Sequence, residues 1–122
     1  MKRNLIKVLT VVALAMVLGI SQQASADPVG GAKSGEGAVS ARSTVTYDIT
    51  CHGGEYTRVM VIGDGDTDLD LVVRDAWGRE VAADRDATDD CIVTFYPRRS
   101  GTFTIEIINL GNVYNEYVIL VD

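Results

Sequence analysis

The chain is poor in the residues that most often carry out catalysis or bind transition metals. Its 122 residues include one histidine, two cysteines and two prolines. The histidine, His52, stands in a His-Gly-Gly turn, and no cluster of cysteines or histidines accompanies it to complete a zinc site. No serine occurs in the Gly-x-Ser-x-Gly context of a hydrolase nucleophile. These absences predict a protein that is not an enzyme.

The chain also lacks an apolar run long enough to cross a bilayer. The run Val8–Ile20 has about 13 residues, whereas a transmembrane helix needs about 20. Basic residues precede it and Ala24-Ser25-Ala26 follows it, which is the pattern of a secretory signal peptide. We therefore expect residues 1–26 to be a signal peptide and the mature chain to be periplasmic or secreted, without membrane insertion. An uncleaved anchor is the alternative.

Basic residues are few, with 11 lysines and arginines against 17 aspartates and glutamates. Removal of residues 1–26 would leave eight basic and seventeen acidic residues, a net charge of −9. Such a surface repels nucleic-acid phosphates and anionic headgroups, so we expect no nucleic-acid partner. Soluble cations and basic partners are favoured. A charge that serves only solubility is the other explanation.

The two cysteines, Cys51 and Cys91, are predicted to form a disulfide. An even number of cysteines in an exported chain favours pairing. Both are also in phase with the inward-facing residues of predicted strands, Cys51 with Ile49 and Cys91 with Val93. A pair of reactive thiols is the alternative.

Short alternating runs dominate the chain after residue 43, and helical periodicity is absent there. Residues 27–42 consist mainly of glycine, alanine, serine and isolated charges, which predicts a flexible leader. The rest, residues 43–122, reads as about seven short strands separated by turns, which indicates an all-β antiparallel sandwich or small barrel.

Six segments in the second half of the chain together resemble a known family. In order they are Gly63–Leu71, Asp75–Ala82, Ile92–Pro97, Ser100–Phe103, Ile107–Asn109 and Asn115–Ile119. Their order and spacing resemble the bacterial pre-peptidase C-terminal domain over residues 55–121. The resemblance implies a jelly-roll-like β-sandwich, similar to the collagen-binding domains of clostridial collagenases and typically attached to secreted peptidases. No peptidase precedes the domain in this sequence, so that role is not carried over.

An acidic run offers the best candidate for an ion site. Asp64, Asp66, Asp68 and Asp70 occupy every second position, and Ca²⁺ takes six to eight oxygen ligands, preferably from carboxylates. In a fully extended strand Asp64 and Asp70 would lie about 20 Å apart, so only a curled loop at 63–67 could gather several of them. Some relatives also bind calcium near the sandwich. A solvated acidic turn is the favoured explanation of this run, and a calcium site formed by its four aspartates is the alternative.

Four other residues are candidate contacts for a partner: Trp77, Tyr96, Arg98 and Arg99. An exposed indole serves well as a contact residue, although it could instead fold over the edge of the core. Adjacent arginines can receive a carboxylate or sulfate, although they could simply balance local charge.

These features predict a monomeric, non-catalytic binding or accessory module for a protein or glycan partner outside the cytoplasm. A glycan or matrix binder would present the aromatic residues Tyr56, Trp77, Tyr96 and Tyr114. A small inhibitor of a secreted or periplasmic hydrolase is the rival prediction, with the loop Asp84–Asp90 as its inhibitory element. A purely structural envelope protein is a third.

Overall fold

The computed structural model describes residues 32–122. The predicted signal peptide, residues 1–26, lies outside these residues. The described chain forms eight strands: β1 Lys33–Val39, β2 Thr44–Cys51, β3 Thr57–Ile62, β4 Leu69–Arg74, β5 Glu80–Asp84, β6 Asp90–Phe95, β7 Gly101–Asn109 and β8 Asn115–Val121. Between residues 32 and 122 there is no helix with the length and apolar character needed to cross a membrane.

The strands form two antiparallel sheets of four. One sheet has the order β1-β8-β3-β6 and the other has the order β2-β7-β4-β5. The first strand thus pairs with the last and the second with the seventh, as in an eight-stranded jelly roll. The predicted all-β sandwich is confirmed, with eight strands rather than seven.

Alternation of apolar and polar residues explains which side chains fill the space between the sheets. In β6 the inward residues are Cys91, Val93 and Phe95, and every second residue is exposed. In β3 the buried set includes Val59 and Val61, which fixes a phase that the sequence leaves ambiguous. Strand β4 departs from the pattern, because it lies inside its sheet and is buried on both faces.

The predicted flexible leader is wrong for its second half. Residues 33–39 form β1, which pairs along its whole length with β8, so the domain begins near Lys33 rather than at residue 43. The low apolar content suggested disorder, but here the strand is held by backbone pairing and by one core residue, Val39. Position 37 requires a residue without a side chain, because a Cβ on Gly37 would lie 2.6 Å from the hydroxyl oxygen of Tyr117. Glycine therefore admits the ring of Tyr117.

The predicted disulfide is also wrong, since both cysteines are buried thiols that are not joined to each other. Cys51 pairs with Gly101 at the start of β7, whereas the thiol of Cys91 donates to the carbonyl of Leu69 at 3.2 Å. Leu69 pairs with Asn109 at the other end of β7. The length of that strand, about 25 Å, separates the two ends, and a disulfide needs Cα atoms within about 7 Å. Strand phase predicted correctly that both thiols face inward, but it cannot tell at which end of the sandwich each lies.

Candidate functional site

A groove opens at one end of the sandwich, beside the edge strands β5 and β6. Its volume is about 840 Å³. The walls are the β4–β5 turn, the β6–β7 loop and the adjoining ends of β5, β6 and β7. The volume lies in the range typical of binding sites, about 300–1,000 Å³.

The carboxylate of Asp75 organises the β4–β5 turn. It accepts hydrogen bonds from the backbone N–H groups of Trp77 and Arg79, both at 2.9 Å, and from Nε of Arg79 at 3.0 Å. Gly78 has φ of 83°, a value that glycine adopts without strain. Desolvation opposes ionisation of Asp75, but these hydrogen bonds outweigh it, so the pKa of Asp75 is lowered. The turn is therefore held in one shape by an ionised carboxylate.

This turn presents Trp77 to solvent rather than folding it over the core. The residue is 67% exposed. The guanidinium carbons of Arg79 and Arg99 lie 5.3 Å and 5.9 Å from the centre of its ring, within the range of cation–π attraction. The indole thus connects the β4–β5 turn with the β6–β7 loop.

The β6–β7 loop is hydrogen-bonded to the β2–β3 turn. The carbonyl of Pro97 accepts from the N–H of Gly54 at 2.7 Å, and the hydroxyl of Ser100 accepts from the N–H of Gly53 at 2.8 Å. In this loop Tyr96 is 67% exposed and meets Tyr56 edge to face, with ring centres 5.4 Å apart. The loop therefore offers an aromatic surface on a fixed backbone.

Arg98 and Arg99 are exposed and have no carboxylate partner among residues 32–122. The ion pairs in this part of the chain join Arg58 to Asp122, Arg74 to Glu106, Arg79 to Asp75 and Arg85 to Glu80. Asp75 and Glu80 also line the groove, but both carboxylates are already paired, with Arg79 and Arg85, so Arg98 and Arg99 leave the groove with an excess of positive charge. An anion in the groove could therefore receive charge-assisted hydrogen bonds without breaking an existing ion pair.

The four residues predicted as partner contacts, Trp77, Tyr96, Arg98 and Arg99, all line this groove. Tyr56 joins them through its contact with Tyr96. Sequence reasoning missed Arg79, although its position two residues after Trp77 in the same turn was a usable signal. Tyr114 does not belong to the group, because the β7–β8 loop lies at the far end of β7.

The predicted calcium ligands divide into two pairs with different surroundings. One oxygen of Asp64 accepts from the N–H of Asp66 and the other from the N–H of Glu116, both at 2.9 Å. These contacts fasten the loop to the start of β8. Asp89 lies in the β5–β6 loop and was not singled out from the sequence. Its carboxylate accepts from the N–H of Gly65 at 2.6 Å and so also fastens the acidic loop. The carboxylate of Asp64 therefore serves as an acceptor for the backbone.

Asp68 and Asp70 each have one buried carboxylate oxygen without a hydrogen-bond partner. Desolvation first, and then the charge of Asp68, raise the pKa of Asp70. Such oxygens suit a cation, but two of them fall short of the six to eight ligands that Ca²⁺ requires. Among residues 32–122 no group of three or more acidic, cysteine or histidine side chains is placed to hold a metal ion. Calcium binding therefore stays a prediction that only this pair supports.

Comparison with known proteins shows the fold. The structure is similar to the pre-peptidase C-terminal domain of collagenase from Bacillus anthracis, with a TM-score of 0.58 and 12% identity over 74% of this chain and 88% of that one. It is also similar to PliG of Aeromonas hydrophila, a periplasmic inhibitor of g-type lysozyme, with a TM-score of 0.55 and 14% identity over 75% and 84%. A third similar structure is PirA, with a TM-score of 0.51 and 15% identity over 73% and 93%.

At the level of sequence, no protein-family model matches the chain and no curated protein matches it. The resemblance to the pre-peptidase C-terminal domain is thus supported at the level of the fold alone. At such low identity the likeness carries no binding or catalytic residue from one protein to another.

Proposed function

We propose that this protein is an exported, non-catalytic binding module that holds a protein or glycan partner in the arginine–aromatic groove. The observation that carries the proposal is the convergence of Trp77, Tyr96, Arg98 and Arg99 from two separate loops onto one concave surface. Exposed tryptophan, tyrosine and arginine are the residue types that contribute most to binding energy in protein interfaces.

The rigidity of the groove supports the same proposal. Asp75 fixes one wall, and the β2–β3 turn fixes the other through Gly53 and Gly54. A preformed site loses little conformational entropy when a partner binds. The similar solved structures include a domain of a collagenase and an inhibitor of lysozyme, and an inhibitor acts by binding its enzyme.

Affinity capture from an envelope extract tests the proposal. Protein carrying Trp77→Ala should retain at least about tenfold less partner than wild type, which corresponds to a contact residue worth about 1.4 kcal/mol or more. The matched control is Tyr114→Ala, which removes an exposed aromatic residue from the opposite end of the sandwich. Equal capture by the two variants would contradict a role for the groove.

Inhibition of a secreted or periplasmic hydrolase is the second candidate, and the β5–β6 loop favours it. Within this loop Asp86 accepts from the N–H and the hydroxyl of Thr88, at 3.1 Å and 3.0 Å, and Asp84 accepts from the N–H of Asp86 at 3.2 Å. The buried Asp89 anchors its end. An exposed loop held by its own hydrogen bonds is suited to occupy an enzyme cleft.

A direct assay separates this candidate from the first. If the protein is an inhibitor of the kind that PliG is, it should slow the hydrolysis of bacterial cell walls by g-type lysozyme. Thr88→Ala should then weaken inhibition, since it removes a hydroxyl that bonds Asp86 and the backbone of Asp90, whereas Trp77→Ala should not. Undiminished lysozyme activity at high protein concentration would eliminate this enzyme as the target.

A further inference from the structure

The free edge of β6 extends the basic groove with backbone hydrogen-bonding groups. Strand β6 is the outer strand of its sheet, and β3 is its only neighbour there. The N–H of Ile92 points away from β3, because it donates to a carboxylate oxygen of Asp84 at 2.9 Å. Along an antiparallel strand the direction of the backbone groups repeats every second residue. The N–H and C=O of Thr94 therefore point to the same open side as those of Ile92.

The two halves of this edge differ. Near Ile92 the side chain of Asp84 caps the edge, and β5 lies close by. Thr94, by contrast, is exposed and lines the groove. An uncovered strand edge is a template on which another extended chain can pair. Only the half that opens into the groove is left available.

The charge beside this open edge selects the kind of chain that fits. The acidic residues of the groove, Asp75 and Glu80, are paired with Arg79 and Arg85, whereas Arg98 and Arg99 have no carboxylate partner within residues 32–122. Tyr96 follows the open half of β6 directly, and Trp77 faces it from the opposite wall. Arginine pairs with carboxylates through two parallel hydrogen bonds, and exposed aromatic rings cover apolar side chains.

We infer that the groove takes an extended, acidic peptide segment of a partner protein, which adds to the edge of β6 as a further strand. The backbone of the segment pairs with Thr94, its carboxylates meet Arg98 and Arg99, and its other side chains lie on Trp77 and Tyr96. Strand addition of this kind draws affinity from the backbone and specificity from alternate side chains. The inference rests on the proposed function and names the partner class. Unlike a glycan, a peptide can satisfy the open backbone groups in register.

A fluorescent peptide of alternating glutamate and threonine, about six residues long as strands usually are, is the probe, with fluorescence anisotropy as the readout. The purified protein should bind it and should not bind the peptide in which lysine replaces glutamate. Reversing both charges, Arg98→Glu with Arg99→Glu, should raise the Kd by about tenfold or more. A single charge reversal at the other end of the sandwich, Arg42→Glu, is the control for position and should leave the Kd unchanged.

The backbone contribution is tested from both sides. Thr94→Pro removes the N–H that faces the groove, which an edge strand tolerates because the sheet does not use it. It should raise the Kd by about tenfold, whereas Thr94→Val should not. Alternate amides of the peptide can be N-methylated in two sets, and only one set faces β6. Methylation of that set should weaken binding to the same extent without altering the protein. Unchanged binding after both changes would overturn strand addition.

Three further results would contradict the inference in distinguishable ways. Tight binding of an oligogalacturonate with no binding of the acidic peptide would make the occupant an acidic glycan and leave the proposed function standing. Concentration-dependent self-association that Arg98→Glu with Arg99→Glu abolishes would make the occupant a second copy of this chain. Partner capture that depends on Trp77, together with no binding of the acidic peptide, would also preserve the proposed function and exclude this ligand.

Discussion

At the scale of single residues, Asp70 carries a charge in a place that disfavours it. Burial, repulsion from Asp68 and further repulsion from Asp84 and Asp86 raise its pKa, and Arg85 only partly offsets them. The folded protein therefore holds this proton more tightly than the unfolded chain. It follows that Asp70 lowers the stability as the pH rises through the carboxyl range.

We predict that Asp70→Asn stabilises the domain at pH 7 by about 1 kcal/mol, because it removes a charge that burial and the neighbouring aspartates disfavour. The gain should shrink to nothing below about pH 4, where the wild-type carboxyl is also protonated. Urea unfolding across a pH series measures it, and Asp66→Asn, at an exposed member of the same run, is the control. A gain that does not change with pH would show that the charge is not the cause.

The same position tests calcium. If Ca²⁺ binds the oxygens of Asp68 and Asp70, a hundredfold excess over its Kd should add about 2.7 kcal/mol to the stability. Mg²⁺ at equal ionic strength should add much less, because it is smaller and resists dehydration. Asp70→Asn should remove the response. Identical thermal unfolding with calcium and with chelator would leave the run as a solvated turn that fastens loops.

The cysteines give a third prediction at this scale. Desolvation first, and then the charge of Asp84, raise the pKa of Cys91 to about 12, so its thiol stays protonated and unreactive at neutral pH. The native protein should therefore be nearly inert to a thiol reagent at pH 8. After denaturation without reductant it should yield two thiols, since the two sulfurs are not bonded to each other. A count of zero thiols would contradict this result and show that Cys51 and Cys91 form the disulfide that the sequence predicted.

At the scale of structural elements, β1 shows that composition alone can mispredict a strand as disordered. Its segment has few apolar side chains, and composition therefore predicted disorder. The missing information was tertiary: β8 offers a full row of backbone partners, and Tyr117 needs the space above Gly37. By contrast, strands with clear alternation, such as β2 and β7, could be located from the sequence because one face of each packs on the core.

Gly37→Ala tests whether β1 belongs to the fold. The added Cβ would lie 2.6 Å from the hydroxyl oxygen of Tyr117, so a ring that is hydrogen-bonded to Tyr47 must shift. We expect a loss of about 1–3 kcal/mol in unfolding free energy, as for other overpacked sites. Gly101→Ala is the matched control, because a Cβ there meets nothing within 4 Å. Equal stability of the two variants would mean that β1 does not pack as described.

The groove could be predicted only in part, for a similar reason. The residue types at Trp77, Tyr96, Arg98 and Arg99 are enough to predict contact residues from the sequence, but no periodicity relates a turn at 75–78 to a loop at 96–100. Their proximity follows from the strand order, which places the end of β4 beside the start of β7. The open edge of β6 likewise could not be predicted from the sequence, because it depends on which strand lies outermost in the sheet.

At the scale of the whole molecule, charge is divided between the two ends of the sandwich. The loops that contain Asp64, Asp66 and Asp86 lie at the end where β4 begins, and Arg98, Arg99 and Trp77 lie at the end where it finishes. A negative net charge alone would favour basic partners everywhere. The distribution instead gives each end its own preference: the groove suits an acidic ligand, and the opposite loops suit a basic one.

Binding of partners at the groove end is tested most directly by NMR titration. Isotope-labelled protein would be titrated with the partner obtained by affinity capture while the backbone amide signals are followed. We predict that the signals that shift belong to residues 75–79 and 94–102, with Thr94 among them. Shifts confined to residues 85–89 and 110–114 would place the partner on the opposite loops and contradict binding at the groove.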